Sequence, residues 1–376
     1  DFCLSRGLGD VYKRQKIYLK NIFRLRGDNM KKMKVLINGL GRIGRAIVRI
    51  NLEKNIFDLV AINDINPDNK NMAYLLKYDC TYGRLTENIT SDEDNIYLNG
   101  QTIRVSHEKE INDVDFTGID IVIDSSGIKK NIEQIEKMAA ASTVKRFIIT
   151  NVDSKKAQNI IFGVNEKELE DVSKKIISSS ICDVISLGPI YNLLAQKYDI
   201  ESGFLVTLHP WLSYQNLLDG PAKSWSQPGD VYSHYALGRA STQNLIPKST
   251  SAVRALSNVF PEAMDKIASF SYRIPTQIVS SAVLTLVLKE NTTKEELLQL
   301  FEEEQKNQKY TIIETTDEPL ISADYVKSEY STILDTRWIQ VKNGNHIELV
   351  YWYDNEWGYS SRIVDIVNYL TEMEAE

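Results

Sequence analysis

The sequence has few cysteines, no excess of basic residues and no long apolar run. Three cysteines among 376 residues are too few for a disulfide framework and are typical of a chain in a reducing compartment. No stretch approaches the roughly 18 consecutive apolar residues of a membrane helix, which excludes a membrane span. The formal net charge of −7 argues against nucleic acid as a main partner, because phosphate backbones are bound by basic surfaces. We therefore expect a cytoplasmic protein that uses neither a membrane nor a nucleic acid as partner.

The composition is that of a globular protein, with 43% hydrophobic and 25% charged residues. A single hydrophobic core rarely grows to 376 residues, so the length predicts two domains.

Residues 1–29 differ in charge from the rest of the chain. They hold seven basic and three acidic residues, whereas the whole sequence is acidic. The run CLSRGLGDVYKRQ resembles translated sequencing-adapter sequence, and the first methionines are Met30 and Met33. A basic organelle presequence is the alternative interpretation. We expect residues 1–29 to be a non-native or disordered leader.

A glycine-rich turn follows the first apolar run. Lys34–Asn38 has the β-branched, apolar composition of a buried strand, and residues 45–53 have helical periodicity. Between them, Gly39, Gly41 and Gly44 have the GxGxxG spacing that lets backbone and a helix N-terminus approach a pyrophosphate. The alternative is a glycine turn without a ligand. The strand–turn–helix context favours dinucleotide binding.

An acidic residue follows the next predicted strand, residues 59–62. Asp64 lies 20 residues beyond Gly44, where a carboxylate accepts hydrogen bonds from both hydroxyls of an adenosine ribose. It would repel a 2′-phosphate, so the sequence predicts NAD rather than NADP.

Further strands are predicted at residues 119–124 and 146–150, with a helix at 131–141 between them. Alternating strands and helices favour a parallel, doubly wound sheet. Ser126 and Gly127 follow a strand end, where ligands bind in such sheets, and their small side chains leave room for a cofactor.

The second half has a different pattern. Long alternating runs at residues 204–209, 278–288 and 346–353 predict antiparallel strands. Helices are predicted at residues 189–197, 251–259 and 293–307. The predicted fold class is α/β: a Rossmann doubly wound NAD-binding domain, followed by an α+β catalytic domain with a mostly antiparallel sheet.

One cysteine and one histidine lie at the ends of predicted elements. Cys182 precedes an apolar helical segment, whose positive end would lower the pKa of the thiol. His209 ends a strand 27 residues later. Such a pair can attack a carbonyl with the thiolate while the imidazole transfers protons. The alternative is a small buried cysteine and a structural histidine.

The remaining histidines, His107, His234 and His346, have no cluster of Cys, Asp or Glu at metal-ligand spacing. The sequence therefore predicts no metal. Cys80 lies in a polar stretch and is predicted to be structural.

Together these motifs resemble the phosphorylating glyceraldehyde-3-phosphate dehydrogenase family. Three of them resemble its cofactor domain: INGLGRIGR, AINDI and MAYLLKYDCTYGR, at residues 37–45, 61–65 and 72–84. Three more resemble its catalytic half: GRASTQNLIPKST, YRIPT and YWYDNEWGYSSR, at residues 238–250, 272–276 and 351–362. The resemblance covers about residues 33–370, with the motifs in the family's order.

The resemblance implies roles for individual residues. Cys182 is the nucleophile and His209 its base. Cofactor binding is implied for Asn38, Gly39, Gly41, Arg42, Ile43, Gly44, Asp64, Ser126, Gly127, Thr150, Asn355 and Tyr359. Substrate binding is implied for Arg239, Thr250, Ser251 and Arg273. NAD, an aldehyde and inorganic phosphate are the implied small molecules, and a homotetramer is the implied assembly.

The resemblance also implies a reaction and a domain division. The Cys182 thiolate attacks the aldehyde to give a thiohemiacetal, and His209 removes the hydroxyl proton as hydride passes to NAD. Phosphate then attacks the resulting thioester and releases an acyl phosphate. Residues 30–181 are expected to bind NAD, residues 182–353 to form the catalytic domain, and residues 354–376 to return as a helix to the first domain.

Several residues depart from the family pattern. The family's S-C-T-T-N-C is I-C-D-V-I-S here, so Ile181 and Asp183 replace hydroxyls that help hold phosphate. A carboxylate repels a phosphate dianion. Leu212 and Tyr214 replace a threonine and an aspartate, and Ser251 a glycine. Two alternatives therefore stay open: a paralogue that oxidises another aldehyde or sugar phosphate, with phosphate or water as acceptor, and a non-catalytic NAD-binding protein.

Overall fold

A computed structural model describes residues 31–152 and 155–375 of the chain. The predicted leader, residues 1–29, lies outside the described residues. Among the helices described, none combines the length and the apolar composition that crossing a bilayer requires.

The first half of the chain builds one large, mainly parallel sheet. The strands of this half are β1 (Lys34–Asn38), β2 (Asp58–Asn63), β3 (Tyr78–Asp79), β4 (Gly83–Arg84), β5 (Ile89–Ser91), β6 (Asn95–Leu98), β7 (Gln101–Ser106), β8 (Ile121–Asp124), β9 (Arg146–Ile149), β10 (Gln158–Asn159) and β11 (Ile176–Ser178). The large sheet has the order β10-β11-β9-β8-β1-β2-β7-β6-β5, and β3 and β4 form a separate two-stranded sheet. All neighbours from β10 to β7 are parallel, and β6 and β5 extend the sheet with antiparallel pairs.

Strand β1 lies inside this sheet and positions the glycine turn. Four of its five residues are buried, as expected for a strand covered on both faces. The chain adds β2 and β7 on one side of β1, and β8, β9 and β11 on the other. Ligands bind at the carboxyl ends of strands at such a switch point. In register, Asn38 lies level with Asn63 and with Asp124.

Glycine is required at two positions of the turn. Gly39 has φ of +93°, and a Cβ there would lie 2.7 Å from the Cα of Ser126. Gly44 lies in the first turns of the following helix, and its Cβ would overlap the carbonyl oxygen of Gly39. The absence of both side chains lets the strand, the turn and the helix pack together.

The second half builds a sheet in which antiparallel pairs predominate. Its strands are β12 (Ile200–Pro210), β13 (Ile246–Lys248), β14 (Ile267–Ile274), β15 (Ser280–Leu288), β16 (Ile313–Thr316), β17 (Thr332–Asp335), β18 (Gln340–Lys342) and β19 (His346–Tyr353). The order is β13-β14-β12-β15-β19-β17-β16, with β18 paired to β19. The parallel pairs are β12–β14 and β16–β17. The predicted fold class is confirmed.

The helices cover the two sheets. They are α1 (Arg42–Lys54), α2 (Asn69–Lys77), α3 (Lys129–Ala139), α4 (Cys182–Lys197), α5 (Ala252–Leu256), α6 (Ala263–Lys266), α7 (Lys294–Asn307) and α8 (Trp357–Ala375). Short 3₁₀ turns lie at Ile111–Asp113, Glu166–Glu170, Tyr235–Gly238, Ser322–Tyr325 and Thr336–Trp338. The final helix, α8, packs against α1.

Helix α4 begins earlier than the sequence predicts. The prediction starts at Pro189, because proline lacks an N–H group and usually occupies the first turn of a helix. In the structure Pro189 lies inside α4, and the helix starts at Cys182. Leu187, Ile190 and Leu194 are fully buried, so tertiary packing holds the helix together across the proline. Cys182 therefore lies at the helix terminus itself.

We expect Gly44→Ala to lower the free energy of unfolding by about 1–3 kcal/mol, although alanine has the higher helix propensity, because the added methyl group meets the backbone of Gly39. The midpoint of urea unfolding measures this change. Gly41→Ala is the matched control. A Cβ at Gly41 meets no atom within 4 Å, so its cost should stay below about 1 kcal/mol. Equal midpoints for the two variants would contradict the packing argument.

Candidate active site

The candidate site is built at the amino end of α4, between the two sheets. After β11 the chain turns at Ser180, whose φ of +59° is uncommon for a residue with a side chain. The Tyr359 hydroxyl donates to the Ser180 carbonyl at 3.1 Å and lies 2.7 Å from the Ser179 hydroxyl. Tyr359 thus braces the turn that presents Cys182 at the start of α4.

Cys182 and His209 are in direct contact. The Sγ atom of Cys182 lies 3.6 Å from Nε2 of His209. The Nδ1 atom of the same ring lies 2.8 Å from the carbonyl oxygen of Pro210. Because a carbonyl can only accept, Nδ1 carries the hydrogen and Nε2 turns its lone pair toward the thiol. The thiol can therefore pass its proton directly to the imidazole.

Asp183 is held inside the site by two hydroxyl groups. Its Oδ1 accepts a 2.8 Å hydrogen bond from Tyr353, and its Oδ2 accepts one of 3.3 Å from Thr250. Oδ1 also lies 3.6 Å from Sγ of Cys182. The carboxylate is buried, so its charge acts on the thiol with little screening by solvent.

The resting pair is a neutral thiol and a neutral imidazole. Burial and the Asp183 carboxylate raise the pKa of Cys182 above its ordinary value. Burial and the positive charge of Arg273 lower the pKa of His209 to about 4. The backbone N–H of Asp183 at the helix terminus acts to lower the pKa of this thiol, as predicted, but burial and the neighbouring carboxylate outweigh it, so the predicted net lowering of the pKa is wrong. Cys182 as a whole residue is only partly buried.

Two cations compensate the carboxylate. Arg273 is buried on β14, level with His209 on the parallel strand β12. Its Nε has no hydrogen-bond partner among the residues described. Burial and Arg273 lower the pKa of Lys248 to about 8, while Asp183 and Cys182 act in the opposite direction. A buried guanidinium with an unpaired donor is well suited to a phosphate group.

The glycine turn leaves backbone donors for an anion. The residue before α1 is Gly41, which has no side chain to cap the helix, so the amides of Arg42 and Ile43 remain for a ligand. The side chain of Arg42 points to other partners. Its Nε donates to both oxygens of Glu356 at 2.9 and 3.0 Å, and its guanidinium also pairs with Asp79.

The Asp64 carboxylate is fixed beside this turn. One oxygen accepts from the amide of Leu40 at 2.6 Å, and the other accepts from the amide of Asn66 at 2.9 Å. Only part of its hydrogen-bonding capacity is used, so Asp64 can still accept from a ribose.

Buried polar side chains join the strand ends beneath the turn. Asn38 donates to Asp124 at 2.9 Å and accepts from Asn63 at 2.8 Å. Thr150 donates to the carbonyl of Asp124 at 3.1 Å. Asn38 and Thr150 therefore support the strand ends with their side chains.

The space above Gly127 is occupied. The Trp225 indole donates to the Ser126 carbonyl at 2.9 Å, and a Cβ on Gly127 would lie 2.9 Å from the same indole nitrogen. Gly127 was predicted to leave room for a cofactor. In the structure this room is taken by Trp225, from the loop between β12 and β13.

Asn355 completes the cofactor side. It is buried, and its Oδ1 has no hydrogen-bond partner among the described residues. An unpaired buried acceptor of this kind suits a carboxamide donor such as nicotinamide provides. Together with Asp64 and the uncapped amides of α1, these residues fit NAD.

Comparison with known proteins identifies the family. Residues 33–132 match the domain described as glyceraldehyde 3-phosphate dehydrogenase, NAD binding domain, and residues 181–355 match the corresponding C-terminal domain. The chain belongs to the glyceraldehyde-3-phosphate dehydrogenase family. NAD is accordingly its cofactor.

Similar proteins match along nearly their whole length. Glyceraldehyde-3-phosphate dehydrogenase 1 of Kluyveromyces marxianus is 33% identical over 89% of this chain and 99% of its own. The Bacillus cereus protein of the same name is 33% identical over 90% of this chain and 98% of its own. Glyceraldehyde-3-phosphate dehydrogenase of Chlamydia pneumoniae is also 33% identical, over 90% of this chain and 98% of its own.

The structure brings some predicted substrate residues together and leaves others apart. Thr250 and Arg273 belong to the group around Cys182 and His209. Arg239 pairs with Asp219 instead, and 66% of its side chain is exposed. Ser251 precedes α5, and its carbonyl accepts from Ala255 at 2.8 Å.

Lys248 and Tyr353 are not among the residues predicted from the sequence, and Asp183 was expected only to repel phosphate. Tyr353 has a signal in the sequence: it shares the inward face of an alternating strand with Tyr351, and both are buried. Lys248 ends a short edge strand, where a lysine is ordinarily solvated, so its sequence context gave no such signal.

We expect Asp183→Thr, which introduces the family residue, to lower the pKa of Cys182, because a nearby negative charge is removed. Alkylation of Cys182 by iodoacetamide at neutral pH should become faster, since a larger fraction of the thiol is ionised. Mass spectrometry of the Cys182 peptide across pH measures this rate. The exposed Cys80 is the internal control. An unchanged pH profile would contradict the assignment.

Proposed function

We propose that this chain oxidises glyceraldehyde 3-phosphate with NAD and releases an acyl phosphate. The proposal rests chiefly on the Cys182–His209 pair, whose Sγ and Nε2 lie 3.6 Å apart at the start of α4. The buried cation Arg273 lies beside it, as a phosphorylated substrate requires. The similar proteins named above carry the name of this enzyme, which supports the same substrate here.

In the first step Cys182 attacks the aldehyde carbon. His209 accepts the thiol proton at Nε2 as the S–C bond forms, so no free thiolate has to accumulate in the resting enzyme. The imidazolium then protonates the new oxygen, which yields a thiohemiacetal. No side chain caps the start of α4, and we infer that the amide of Cys182 stabilises the intervening oxyanion.

In the second step His209, now neutral again, removes the hydroxyl proton of the thiohemiacetal. Asp64, the amides at the start of α1 and Asn355 would hold NAD, which would supply the hydride acceptor for the same carbon. A thioester on Cys182 remains. Asn355 is proposed to orient the nicotinamide through its free Oδ1, and Tyr359 acts indirectly by bracing the Ser180 turn.

In the last step phosphate attacks the thioester. Attack at the acyl carbon breaks the S–C bond, and Cys182 regains its proton from the imidazolium. Asp183 opposes an anion here, but Arg273 and Lys248 supply two positive charges and Thr250 one hydroxyl. We infer that Lys248 offsets the carboxylate that replaces the family's hydroxyl. Arg239 and Ser251 remain predicted substrate residues.

We also propose the family's division and assembly for this chain: NAD binding by residues 30–181, catalysis by residues 182–353, return of residues 354–376 to the first domain, and a homotetramer. Exposed apolar side chains on the loop between β12 and β13, Leu217, Leu218, Val231 and Tyr235, support association with other copies. A cytoplasmic location is proposed because a similar protein of Gracilaria gracilis is named as cytosolic.

Phosphate dependence tests the reaction. With glyceraldehyde 3-phosphate, NAD and phosphate, we expect sustained formation of NADH, measured by its absorbance. Without phosphate, the thioester accumulates, so we expect a burst of one NADH per Cys182 and then near arrest. Cys182→Ser should abolish both phases. An equal steady rate without phosphate would show water as acceptor, and no NADH in either condition would exclude glyceraldehyde 3-phosphate as the substrate.

Arg273→Met tests recognition of the substrate phosphate. The ratio of kcat/KM for glyceraldehyde 3-phosphate to that for glyceraldehyde should fall about 10- to 100-fold, because hydrogen bonds to a charged group contribute about 1.5–3 kcal/mol. Taking the ratio cancels the effect of Arg273 on His209, which both substrates share. Arg254→Met, at an exposed position on α5, is the matched control. An equal fall for both substrates would contradict the assignment.

A further inference from the structure

We propose that Cys182, Asp183 and His209 form a binding site for a thiophilic divalent cation, with Zn²⁺ as the best fit. Folding brings one thiol sulfur, one carboxylate oxygen and one imidazole nitrogen together within 4.8 Å of one another. A sulfur, nitrogen and oxygen donor set with an open fourth position is the kind that Zn²⁺ accepts. The binding inference rests on these three side chains and does not depend on the proposed reaction.

The two distances from the thiol sulfur match tetrahedral coordination. Sγ of Cys182 lies 3.6 Å from Nε2 of His209 and 3.6 Å from Oδ1 of Asp183. Zn²⁺ bonds of about 2.3 Å to sulfur and about 2.0–2.2 Å to nitrogen or oxygen put tetrahedral ligand atoms roughly 3.3–3.6 Å apart. The carboxylate oxygen and the imidazole nitrogen lie within 4.8 Å of each other, so the Asp183 and His209 side chains have to close on the ion as it binds.

Each ligand already has the support that zinc ligands have elsewhere. Nδ1 of His209 bonds to the Pro210 carbonyl at 2.8 Å, which leaves Nε2 free for a metal. Tyr353 and Thr250 donate to the Asp183 carboxylate and fix its orientation. Cys182 is partly exposed, so an ion and a fourth ligand from solvent can reach the site.

The charges around the site determine which ligand would occupy the fourth coordination position of the metal. On binding, the thiol releases its proton to solvent as the sulfur–zinc bond forms, and no electron is transferred. Thiolate and carboxylate then neutralise the ion. Arg273 and Lys248 oppose the free cation, but they stabilise an anion such as phosphate or chloride at the open fourth position.

Asp183 distinguishes this chain from the family pattern, which has a threonine there and would supply only a neutral hydroxyl. A cysteine bound to zinc cannot attack an aldehyde. If the proposed reaction holds, micromolar zinc would therefore block it reversibly, and this consequence alone rests on the proposed function.

Cobalt spectroscopy tests the site directly. The full chain, reduced and freed of metal by a chelator, is titrated with Co²⁺, which reports tetrahedral sulfur coordination through a sulfur-to-metal charge-transfer band and intense d–d bands. We expect both bands to saturate at one equivalent per chain and to disappear when Zn²⁺ is added. Cys182→Ser should abolish the charge-transfer band.

Further variants separate ligand loss from misfolding. Asp183→Asn keeps the size of the side chain and should weaken Zn²⁺ binding at least about tenfold, and Tyr353→Phe about 10- to 100-fold. Replacement of the other cysteines, Cys3 and Cys80, by serine is the matched control and should leave binding unchanged. Absence of the bands, or bands that survive Cys182→Ser, would overturn the proposal.

The two proposals fail in different ways. A chain that binds one Co²⁺ through Cys182 but forms no NADH keeps the metal site and loses the dehydrogenase. An active dehydrogenase without the cobalt bands would support the proposed reaction and contradict the metal site.

Discussion

The carboxylate of Asp183 is buried next to the thiol that we propose as nucleophile, and its charge has to be compensated where it lies. Tyr353 and Thr250 donate to it, and Arg273 and Lys248 supply positive charge nearby. The same carboxylate raises the pKa of Cys182 and turns a catalytic pair into a potential metal site. The unusual properties of this site therefore depend on how one buried charge is accommodated.

The buried charge of Asp183 changes how the Cys182 thiol would be activated. In a site with a depressed thiol pKa the thiolate exists before the substrate arrives. Here the thiol and the imidazole are both neutral at rest, because the pKa of Cys182 is raised and that of His209 is lowered to about 4. Proton transfer from Sγ to Nε2 then accompanies attack, and the 3.6 Å contact between the two atoms becomes the critical geometry.

Contacts between the two halves of the chain link the cofactor turn to the second half. Arg42, at the start of α1, pairs with Glu356, just before α8, and α8 packs on α1. Trp225 reaches from the second half of the chain to the carbonyl of Ser126. The cofactor turn and the thiol are thus held in one arrangement by contacts that cross between the halves of the sequence.

The elements that the sequence predicted are those whose signals are local. The alternating run at His346–Tyr353 has the same bounds in the structure, and the helix after the glycine turn starts only three residues earlier than predicted. The predicted start of α4 was wrong. Proline usually occupies the first turn of a helix, but here the packing of buried side chains stabilises a helix that continues through Pro189.

By itself the sequence determined the fold class, the glycine turn with its acidic partner, and, through family resemblance, the candidates Cys182, His209 and Arg273. Only the tertiary structure decided what surrounds the thiol. Lys248, Tyr353 and Asp183 come from different elements, and strand pairing and the placement of α4 between the sheets bring them to one point. The pKa of a thiol and the ability of side chains to bind a metal ion depend on the distances between such residues. No local pattern in the sequence determines these distances.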